Sequence, residues 1–486
     1  MVTPEIKTQK FIIKYFTEIM IKGTTAKRQM IAQVYNNLNY ILSKISSDIT
    51  IKKFFDKVEV VCPIEVSALV RQKLLDTPGI QQILEAIQFD HMYTLDEIKV
   101  KVNEICASEI QGKTFVVRAK RTGTQEFKSI QIEQTVGGYM LAMNDTKGVS
   151  LKNPEVTINI ELEHHQLNII TYKHMGMGGF PIGTQGSVLS LMSGGFDSTV
   201  ASYLTMKRGI KTHFIFFNLG GVAHEIGVKQ VAYYLWNKFG SSHRVSFITI
   251  PFDDVVTEIF KSVSQPYMGV MLKRLMLKAS EKVADSMGID ALITGESVAQ
   301  VSSQTLRNLA LIDQVTNKLV LRPLSMMSKP DIIDIAYKIG TRRFAEAMPE
   351  YCGVISQNPV TYGSYERMEK EASHFDYTVL DEAVKKSVFI NVDEIDQDIS
   401  EIGQMEIVSD LSSGDYTVID IRQTPDCIKT SVETLKIPFY NLKNEFKKLP
   451  QDKEYLFYCD KGILSQLHAQ FLRDSENYTN IKVYRP

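Results

Sequence analysis

One stretch constrains this chain more than any other. Val188-Leu189-Ser190-Leu191-Met192 runs directly into Ser193-Gly194-Gly195-Phe196-Asp197-Ser198, and TVASYLTMK follows. The first five residues read as a buried strand, and the spacing after Ser198 reads as a helix. Two adjacent glycines between them let the backbone approach a ligand and turn its N–H groups inward. The helix start adds unpaired donors and a partial positive charge. Ser193 and Ser198 add hydroxyls. Such a seat suits a pyrophosphate, and a bare strand-to-helix turn would not require the full pattern. The GKS or GKT of a Walker-type loop is absent.

Around this loop, HFIFF (213–217), VSFITI (245–250) and ALIT (291–294) read as strands, and 199–207, 227–239 and 270–287 as helices. That alternation predicts a parallel sheet covered on both faces. Upstream, KFIIKYFTEIMIK (10–22) reads as a strand. Met30, Val34, Leu38, Ile41 and Ile45 predict a helix over 24–45. KVEVVC (57–62) is a second strand and 64–75 a second helix. A further α+β unit follows, with helices over 95–109 and 129–142, strand 114–121, and a hairpin of 156–165 with 167–173. The glycine-rich stretch 174–186 reads as a linker. So does the acidic stretch 391–407. Beyond it, YTVIDI, LKIPF, EYLFYC and IKVY read as strands, with a helix over 465–473.

Composition narrows the class. With 44% hydrophobic and 23% charged residues, wholesale disorder and fibrous repeats are excluded. No window of 18 uncharged apolar residues predicts a membrane span. The charged N-terminus, MVTPEIKTQKFIIKYF, lacks the apolar run of a secretory signal, so a cytoplasmic protein is expected. Five scattered cysteines without a CxxC pair suit neither a disulfide framework nor a zinc site. Residues 391–486 hold 11 basic and 17 acidic residues, so the positive charge lies in front. A nucleic-acid partner there fits that imbalance, as does ordinary surface variation.

SGGFDS resembles the signature of the PP-loop ATP pyrophosphatases, which cleave ATP between its α- and β-phosphates and adenylate a carbonyl oxygen. KRLMLKAS (273–280), ALITGESVAQVSSQTLRNL (291–309), RPLSMMSKPDIIDIA (322–336) and MPEYCGVISQNP (348–359) resemble one branch, the tRNA 4-thiouridine synthetases. GGFPIGTQG before the loop and the terminal VYRP extend the resemblance over essentially the whole chain. It implies an α/β multidomain fold. A ferredoxin-like unit would span 1–75, an RNA-binding THUMP domain 76–173, a doubly wound PP-loop domain 174–390, a linker 391–407 and a rhodanese domain 408–486.

The resemblance also implies roles. ATP would be bound by Leu191, Met192, Ser193, Gly194, Gly195, Asp197, Ser198, His213, Phe214, Lys273, Gly295 and Gln304. Lys273 offers a cation to phosphate oxygens, Gly295 admits a close backbone, and Gln304 offers an amide. Asp197 would help hold Mg²⁺, or else merely stabilise the helix start. Cys459, in Tyr458-Cys459-Asp460-Lys461-Gly462, ends a strand where loop N–H groups can stabilise a thiolate. VIDIR (418–422) and IPF (437–439) resemble rhodanese blocks, so Cys459 is expected to carry a persulfide. Leu464 stands where many rhodanese loops have Arg, which favours a cysteine desulfurase over thiosulfate as donor. Cys352, in Pro349-Glu350-Tyr351-Cys352-Gly353, would pair with Cys459 during turnover. Cys62, Cys106 and Cys427 are expected to be structural.

Arg118, Lys120 and Arg121 cluster on a strand, with Lys128 nearby. The stretch resembles a THUMP domain, although Gln125 stands where His is frequent, and implies phosphate contacts with tRNA. The family implies that uridine 8 is adenylated at its C4 oxygen and thiolated, and that sulfur also passes to a carrier protein for the thiamine thiazole. The expected partners are therefore tRNA, a cysteine desulfurase and that carrier, with a homodimer admissible. Two other classes remain open, a PP-loop enzyme acting on another substrate and a non-catalytic tRNA-binding or sulfur-relay protein.

Overall fold

The computed structural model describes residues 7–123, 127–163, 165–219, 221–346, 358–395, 406–422, 430, 432–437, 442, 445–459, 465, 468–469, 472–473 and 478–485. Two compact units divide the chain: Met1–Thr184 with Lys207–Gly209, and Gln185–Met206 with Ile210–Pro486. Among the described residues no helix is long and apolar enough to cross a membrane.

The first unit is built on one eight-stranded sheet. Its strands are β1 (Thr8–Tyr15), β2 (Thr50–Lys53), β3 (Lys57–Pro63), β4 (Ile80–Phe89), β5 (Thr114–Thr122), β6 (Gly148–Val149), β7 (Val156–Glu163) and β8 (Gln166–Gly178), in the order β2-β3-β1-β4-β8-β7-β5-β6. Its helices are α1 (Thr17–Met20), α2 (Thr24–Ser43), α3 (Ser67–Leu75), α4 (Leu95–Cys106) and α5 (Ser129–Met143). Ile31, Val34, Leu38, Ile41 and Leu42 make one buried stripe on α2. That stripe and α3 pack on Phe11, Ile13, Val58 and Val60. A capping box starts α4: Glu97 N–H donates to Thr94 Oγ1 at 3.2 Å, and Thr94 N–H to Glu97 Oε2 at 2.9 Å. Helices α4 and α5 cover Phe115, Val117, Ile158, Ile160, Leu167 and Ile169. Strand β4 pairs with β1 on one side and β8 on the other, so two helix-covered cores share a single sheet.

The glycine-rich stretch is not a free linker. Strand β8 continues to Gly178, which pairs with Ile80. A Cβ on Gly176 would lie 2.4 Å from the Ile80 carbonyl, and one on Gly179 would lie 1.9 Å from the Lys207 carbonyl. These glycines serve close backbone contact, and Phe180 beside them is buried in the first core.

The second unit holds two sheets. β9 (Ser187–Leu191), β10 (Lys211–Asn218), β11 (Ser246–Pro251), β12 (Ala291–Ile293), β13 (Leu319–Leu321) and β14 (Val388–Asn391) lie in the order β13-β12-β9-β10-β11-β14. The first five are parallel, and β14 is an antiparallel edge on β11. The helices are α6 (Phe196–Lys207), α7 (Gly221–Leu235), α8 (Asp253–Ser262), α9 (Met268–Ser286), α10 (Leu306–Asp313), α11 (Lys329–Ile339), α12 (Arg342–Ala345), α13 (Tyr365–Ser373) and α14 (Tyr377–Lys385). Ile215, Phe217, Ile248 and Ile250 face the core made with α8, α9 and α14. Phe216 points the other way and meets His224 of α7 edge-on at 4.8 Å. Residues 391–395, read as the start of a linker, pack instead: Val392 and Ile395 are fully buried, and Arg244 pairs with Asp393 and Glu394.

The last sheet comprises β15 (Ile407–Val408), β16 (Tyr416–Asp420), β17 (Thr434–Lys436), β18 (Glu454–Tyr458) and β19 (Ile481–Tyr484), all parallel, in the order β15-β19-β18-β16-β17. Ile419, Ile421, Phe446, Phe457 and Val483 form its core.

Candidate active site

Strand order places the first crevice. From β9 the chain moves to β10 and β11 on one side, and later to β12 and β13 on the other. The carboxyl ends of strands at such a reversal are where open α/β sheets bind ligands. Met192 N–H bonds the Ile215 carbonyl at 2.8 Å, and the chain then leaves the sheet. Gly194 has φ +78°, a conformation that glycine takes without strain. Ser193 N–H donates to Ser198 Oγ at 3.1 Å, and the two hydroxyls lie 3.0 Å apart. Thr199 Oγ1 donates to the Gly195 carbonyl at 2.7 Å. The serine hydroxyls thus brace the loop internally, while its glycine and first-turn N–H groups supply the donors of a helix start.

Gly295 closes the other wall for a reason different from the one expected. A Cβ there would lie 2.6 Å from both Asp197 C and Ser198 N. Its missing side chain lets the segment after β12 press on the first turn of α6.

Asp197 is held by two donors. Lys329 Nζ stands 2.7 Å from Oδ1, and Gln300 Nε2 stands 2.8 Å from Oδ2. Gln300 sits beyond Glu296, which Arg322 holds at 2.9 Å while also bonding Asp313. Ser297 Oγ donates to the Met327 carbonyl at 2.8 Å, tying this segment to the one that carries Lys329. Gln304 is buried, and its Oε1 has no hydrogen-bond partner; the Oε1 of Gln300 is also unpartnered. Lys273 on α9 is half-buried with no ion-pair or hydrogen-bond partner among the described residues, whereas neighbouring Arg274 bonds the Leu311 carbonyl and Glu369. A loop of donors and the unsatisfied amide oxygen of Gln300 beside it fit a nucleoside triphosphate. Among the described residues no group of three His, Cys, Asp or Glu is arranged to hold a metal.

His213 and Phe214 lie within β10. They pair with Leu189 and Ser190, so His213 is two residues short of the Leu191 level, about 7 Å. The His213 imidazole accepts from Ser246 N–H at 3.0 Å, and burial pulls its pKa down to about 4. Beyond Gln300, two residues join the site to which the sequence reading gave no role. One is Lys329. The other is His224, buried, whose ring bonds the Ser193 backbone; burial lowers its pKa and that bond opposes the shift. Lys329 had one legible signal: a cation at the first position of a helix faces the unfavourable end of its dipole.

Cys459 follows β18 and is 5% exposed. Its Sγ accepts from Ser465 N–H at 3.3 Å and lies 3.5 Å from Ser465 Oγ. Beside it, Asp420 takes Arg422 in a two-pronged pair, and the guanidinium lies 5.3 Å from the Tyr458 ring centre. Cys352, Cys427 and Asp460 to Leu464 lie outside the described residues. Cys62 and Cys106 are buried in the first unit, and burial pushes their thiols up to about 11 and about 12. Both are therefore poor nucleophiles.

The basic strand divides. Arg118 and Lys120 point to the exposed side of β5. Arg121 points to the other face, with Ala119, and donates to the Gly123 carbonyl at 3.2 Å. Lys120 borders a cleft with Lys14, Lys57, Glu161 and Glu163, in which Lys57 already pairs with Glu59 and Glu163. Arg118 also bonds the Leu151 carbonyl at 2.9 Å. Lys128 is exposed just before α5.

Fold and site together define a class: a PP-loop nucleotide enzyme joined to a THUMP-bearing sheet and a rhodanese-type cysteine module. The family described as "Thiamine biosynthesis protein (ThiI)" matches residues 183–377, the THUMP domain 93–171 and the rhodanese-like domain 405–485. The tRNA sulfurtransferase of Shewanella piezotolerans is 43% identical over 486 residues, covering 98% of this chain and all of the relative. That of Saccharophagus degradans is 44% identical with the same coverage. A 4-thiouridine synthetase crystallised with RNA and bound ATP superposes with a TM-score of 0.70 at 25% identity, over 79% of this chain and all of that one. PH1313 from Pyrococcus horikoshii shares the fold at a TM-score of 0.53 and 20% identity, over 68% of this chain and 99% of its own. The chain belongs to the tRNA sulfurtransferase family.

Proposed function

We propose that this chain thiolates tRNA at the expense of ATP, converting uridine 8 to 4-thiouridine. The observation that carries the reading is the phosphate loop at the strand reversal, with Asp197 fixed by Lys329 and Gln300, on the same chain as the Cys459 cradle. The family match and the RNA- and ATP-bound structure of a 4-thiouridine synthetase support it.

ATP sits with its phosphates on the Ser193–Ser198 loop, near Lys273, Gly295 and Gln304. Leu191 and Met192 bring the strand to it, with His213 and Phe214 behind. The uracil C4 oxygen attacks the α-phosphorus, the α–β anhydride bond breaks, and pyrophosphate leaves. Sulfur from the Cys459 persulfide then replaces the C4–O bond, and AMP departs. Either the persulfide attacks C4 itself and Cys352 then attacks Cys459 Sγ, breaking the S–S bond and releasing the thiouridine, or Cys352 attacks Cys459 Sγ first and frees sulfide that displaces AMP; both routes leave a Cys352–Cys459 disulfide that an external dithiol reduces. Mg²⁺ would arrive with the ATP phosphates, as it does where one carboxylate and the phosphates share it. Asp197 is the carboxylate that fits, since each of its oxygens keeps a second lone pair beside its present donor.

The tRNA would meet Arg118, Lys120 and Lys128. Arg121 faces the helix side and supports the strand. A cysteine desulfurase is the sulfur donor in this reading, and the cytoplasm is the matching compartment. The module limits 1–75, 76–173, 174–390 and 408–486 belong to this reading, with 174–178 forming the end of β8 in the first sheet. The match to a family described as a thiamine biosynthesis protein also supports a second reading, sulfur delivery to a carrier protein for thiamine thiazole.

The deciding assay measures 4-thiouridine in tRNA with Cys459→Ala and Asp197→Ala. Full activity in both overturns the mechanism. Loss in Asp197→Ala alone makes the rhodanese relay dispensable.

A further inference from the structure

Beside the segment that carries Gln300 and Gln304 stands an aromatic that the reaction above does not use. Tyr362 is 77% exposed. Single exposed aromatics are ordinary, but this one stands on an ordered base. Thr305 Oγ1 donates to the Thr361 carbonyl at 2.8 Å. Asn308, fully buried, donates to the Val360 carbonyl at 2.8 Å and accepts from Gly363 N–H at 3.0 Å. A Cβ on Gly363 would lie 2.6 Å from Leu311 Cδ1, so a side chain there would force the buried leucine to move. The backbone on both sides of Tyr362 is therefore fixed, and displaying this ring costs little further ordering.

Its neighbour is a cation without a counter-charge. The Arg307 guanidinium lies 3.8 Å from the Tyr365 ring centre and 5.4 Å from that of Tyr362. Its Nε donates to the Gly363 carbonyl at 2.9 Å. No carboxylate pairs with it among the described residues. Helix α10, which carries Arg307, begins two residues after Gln304, and Gln300 just upstream holds Asp197. Val301 and Leu306, 51% and 68% exposed, lie in the same segment.

A flat ring, an unneutralised guanidinium and an apolar border match one kind of ligand, an unstacked nucleotide. Its base offers a π-face to the ring and its phosphate offers charge to the arginine. We propose that Tyr362 and Arg307 form a stacking platform for a single unpaired nucleotide of the tRNA, holding the strand at the crevice while the target uridine enters. The proposal rests on the reading that tRNA is the substrate. Seating one exposed nucleotide is the geometric counterpart of extracting its neighbour from the fold.

The test uses the full chain and an unmodified tRNA transcript. It measures tRNA affinity without ATP, ATP affinity without tRNA, and 4-thiouridine formation. Tyr362→Phe should match wild type. Tyr362→Ala and Tyr362→Leu should each weaken tRNA binding about tenfold and lower kcat/KM for tRNA similarly, with ATP affinity unchanged. Arg307→Gln should reduce the salt dependence of tRNA binding by about one phosphate contact. Wild-type tRNA affinity in Tyr362→Leu would overturn the platform, because leucine keeps apolar area without a π-face, and would mark a protein contact instead. An equal loss of ATP affinity in Tyr362→Ala would also overturn it, as damage to the crevice. If wild type makes no 4-thiouridine, the proposed function fails, while the binding measurements still judge the platform.

Discussion

Lys329 Nζ stands 2.7 Å from Asp197 Oδ1, although 132 residues separate them in sequence. Each lies at the first turn of a helix, α6 for Asp197 and α11 for Lys329. The carboxylate suits its helix dipole and the lysine opposes its own, so helix stability does not account for the lysine. Its position beside the phosphate loop does. Lys329→Met should lower thiolation about a hundredfold, the scale seen when one preorganised polar group of a catalytic site is removed. Persulfide should still form on Cys459. Labelled sulfur retained on the protein, with little 4-thiouridine, is the expected pattern; normal thiolation would remove Lys329 from the site.

Gly295 makes a steric prediction. Because its absent Cβ would meet Asp197 C and Ser198 N at 2.6 Å, Gly295→Ala must push α6 or the segment after β12 outward. Overpacking of this kind costs about 1–3 kcal/mol. The displacement should weaken ATP binding as well as lower Tm. Unchanged ATP affinity in a folded Gly295→Ala protein would mean that the contact does not shape the seat.

The local part of this site was legible and the non-local part was not. SGGFDS spans a strand, a turn and a helix within a few residues, and its meaning follows from that order. Lys329 and His224 reach the loop only through the folded sheet, so no spacing announces them. Arg121 was grouped with Arg118 and Lys120 by adjacency, although the period of a strand sends it to the opposite face. The glycines of 174–186 read as looseness because composition does not distinguish a free chain from a close backbone contact. Gly176 and Gly179 are the latter. Strand β14 was hidden for a related reason: four residues with Val388 and Phe389 exposed lack the burial pattern of a central strand.

His213 predicts a pH dependence of stability. Its pKa is ordinarily 6.5, and burial in the folded chain lowers it to about 4. Between these values the unfolded chain takes a proton that the folded chain refuses. Stability therefore falls as pH drops through that window, by about 3 kcal/mol at its lower end. Above pH 6.5 the group contributes no slope. Denaturant titrations of wild type and His213→Gln at pH 7 and pH 5 should show a shallower fall in the variant. Parallel curves would show that His213 is not the group responsible.

The two faces of β5 predict opposite outcomes for adjacent residues. Lys120 has an exposed side chain, while Arg121 is turned to the helix side and tied to the Gly123 carbonyl. Lys120→Gln should weaken tRNA binding and flatten its dependence on salt by about one phosphate contact, without altering ATP affinity. Arg121→Gln should leave the salt slope unchanged and act, if at all, on Tm. A salt slope altered by Arg121→Gln and untouched by Lys120→Gln would reverse the assignment of the RNA-facing side.

Cys459 is served by one residue in two ways. Ser465 presents its N–H at 3.3 Å and its hydroxyl at 3.5 Å to the same sulfur, and Ser465 is fully buried. The N–H donates to the sulfur and the hydroxyl is placed where it can donate to a thiolate or a persulfide. A hydrogen bond to a charged group contributes more than one between neutral partners. Ser465→Ala removes the hydroxyl and keeps the N–H, so alkylation of Cys459 at pH 7 should slow a few-fold while the fold persists. Ser465→Thr restores a hydroxyl in a fully enclosed position, where an added methyl must find space. Recovery of the alkylation rate in that variant would tie the effect to the hydroxyl. Equal rates for wild type and Ser465→Ala would leave the backbone N–H as the group that matters, and 4-thiouridine yield would then be insensitive to the serine side chain.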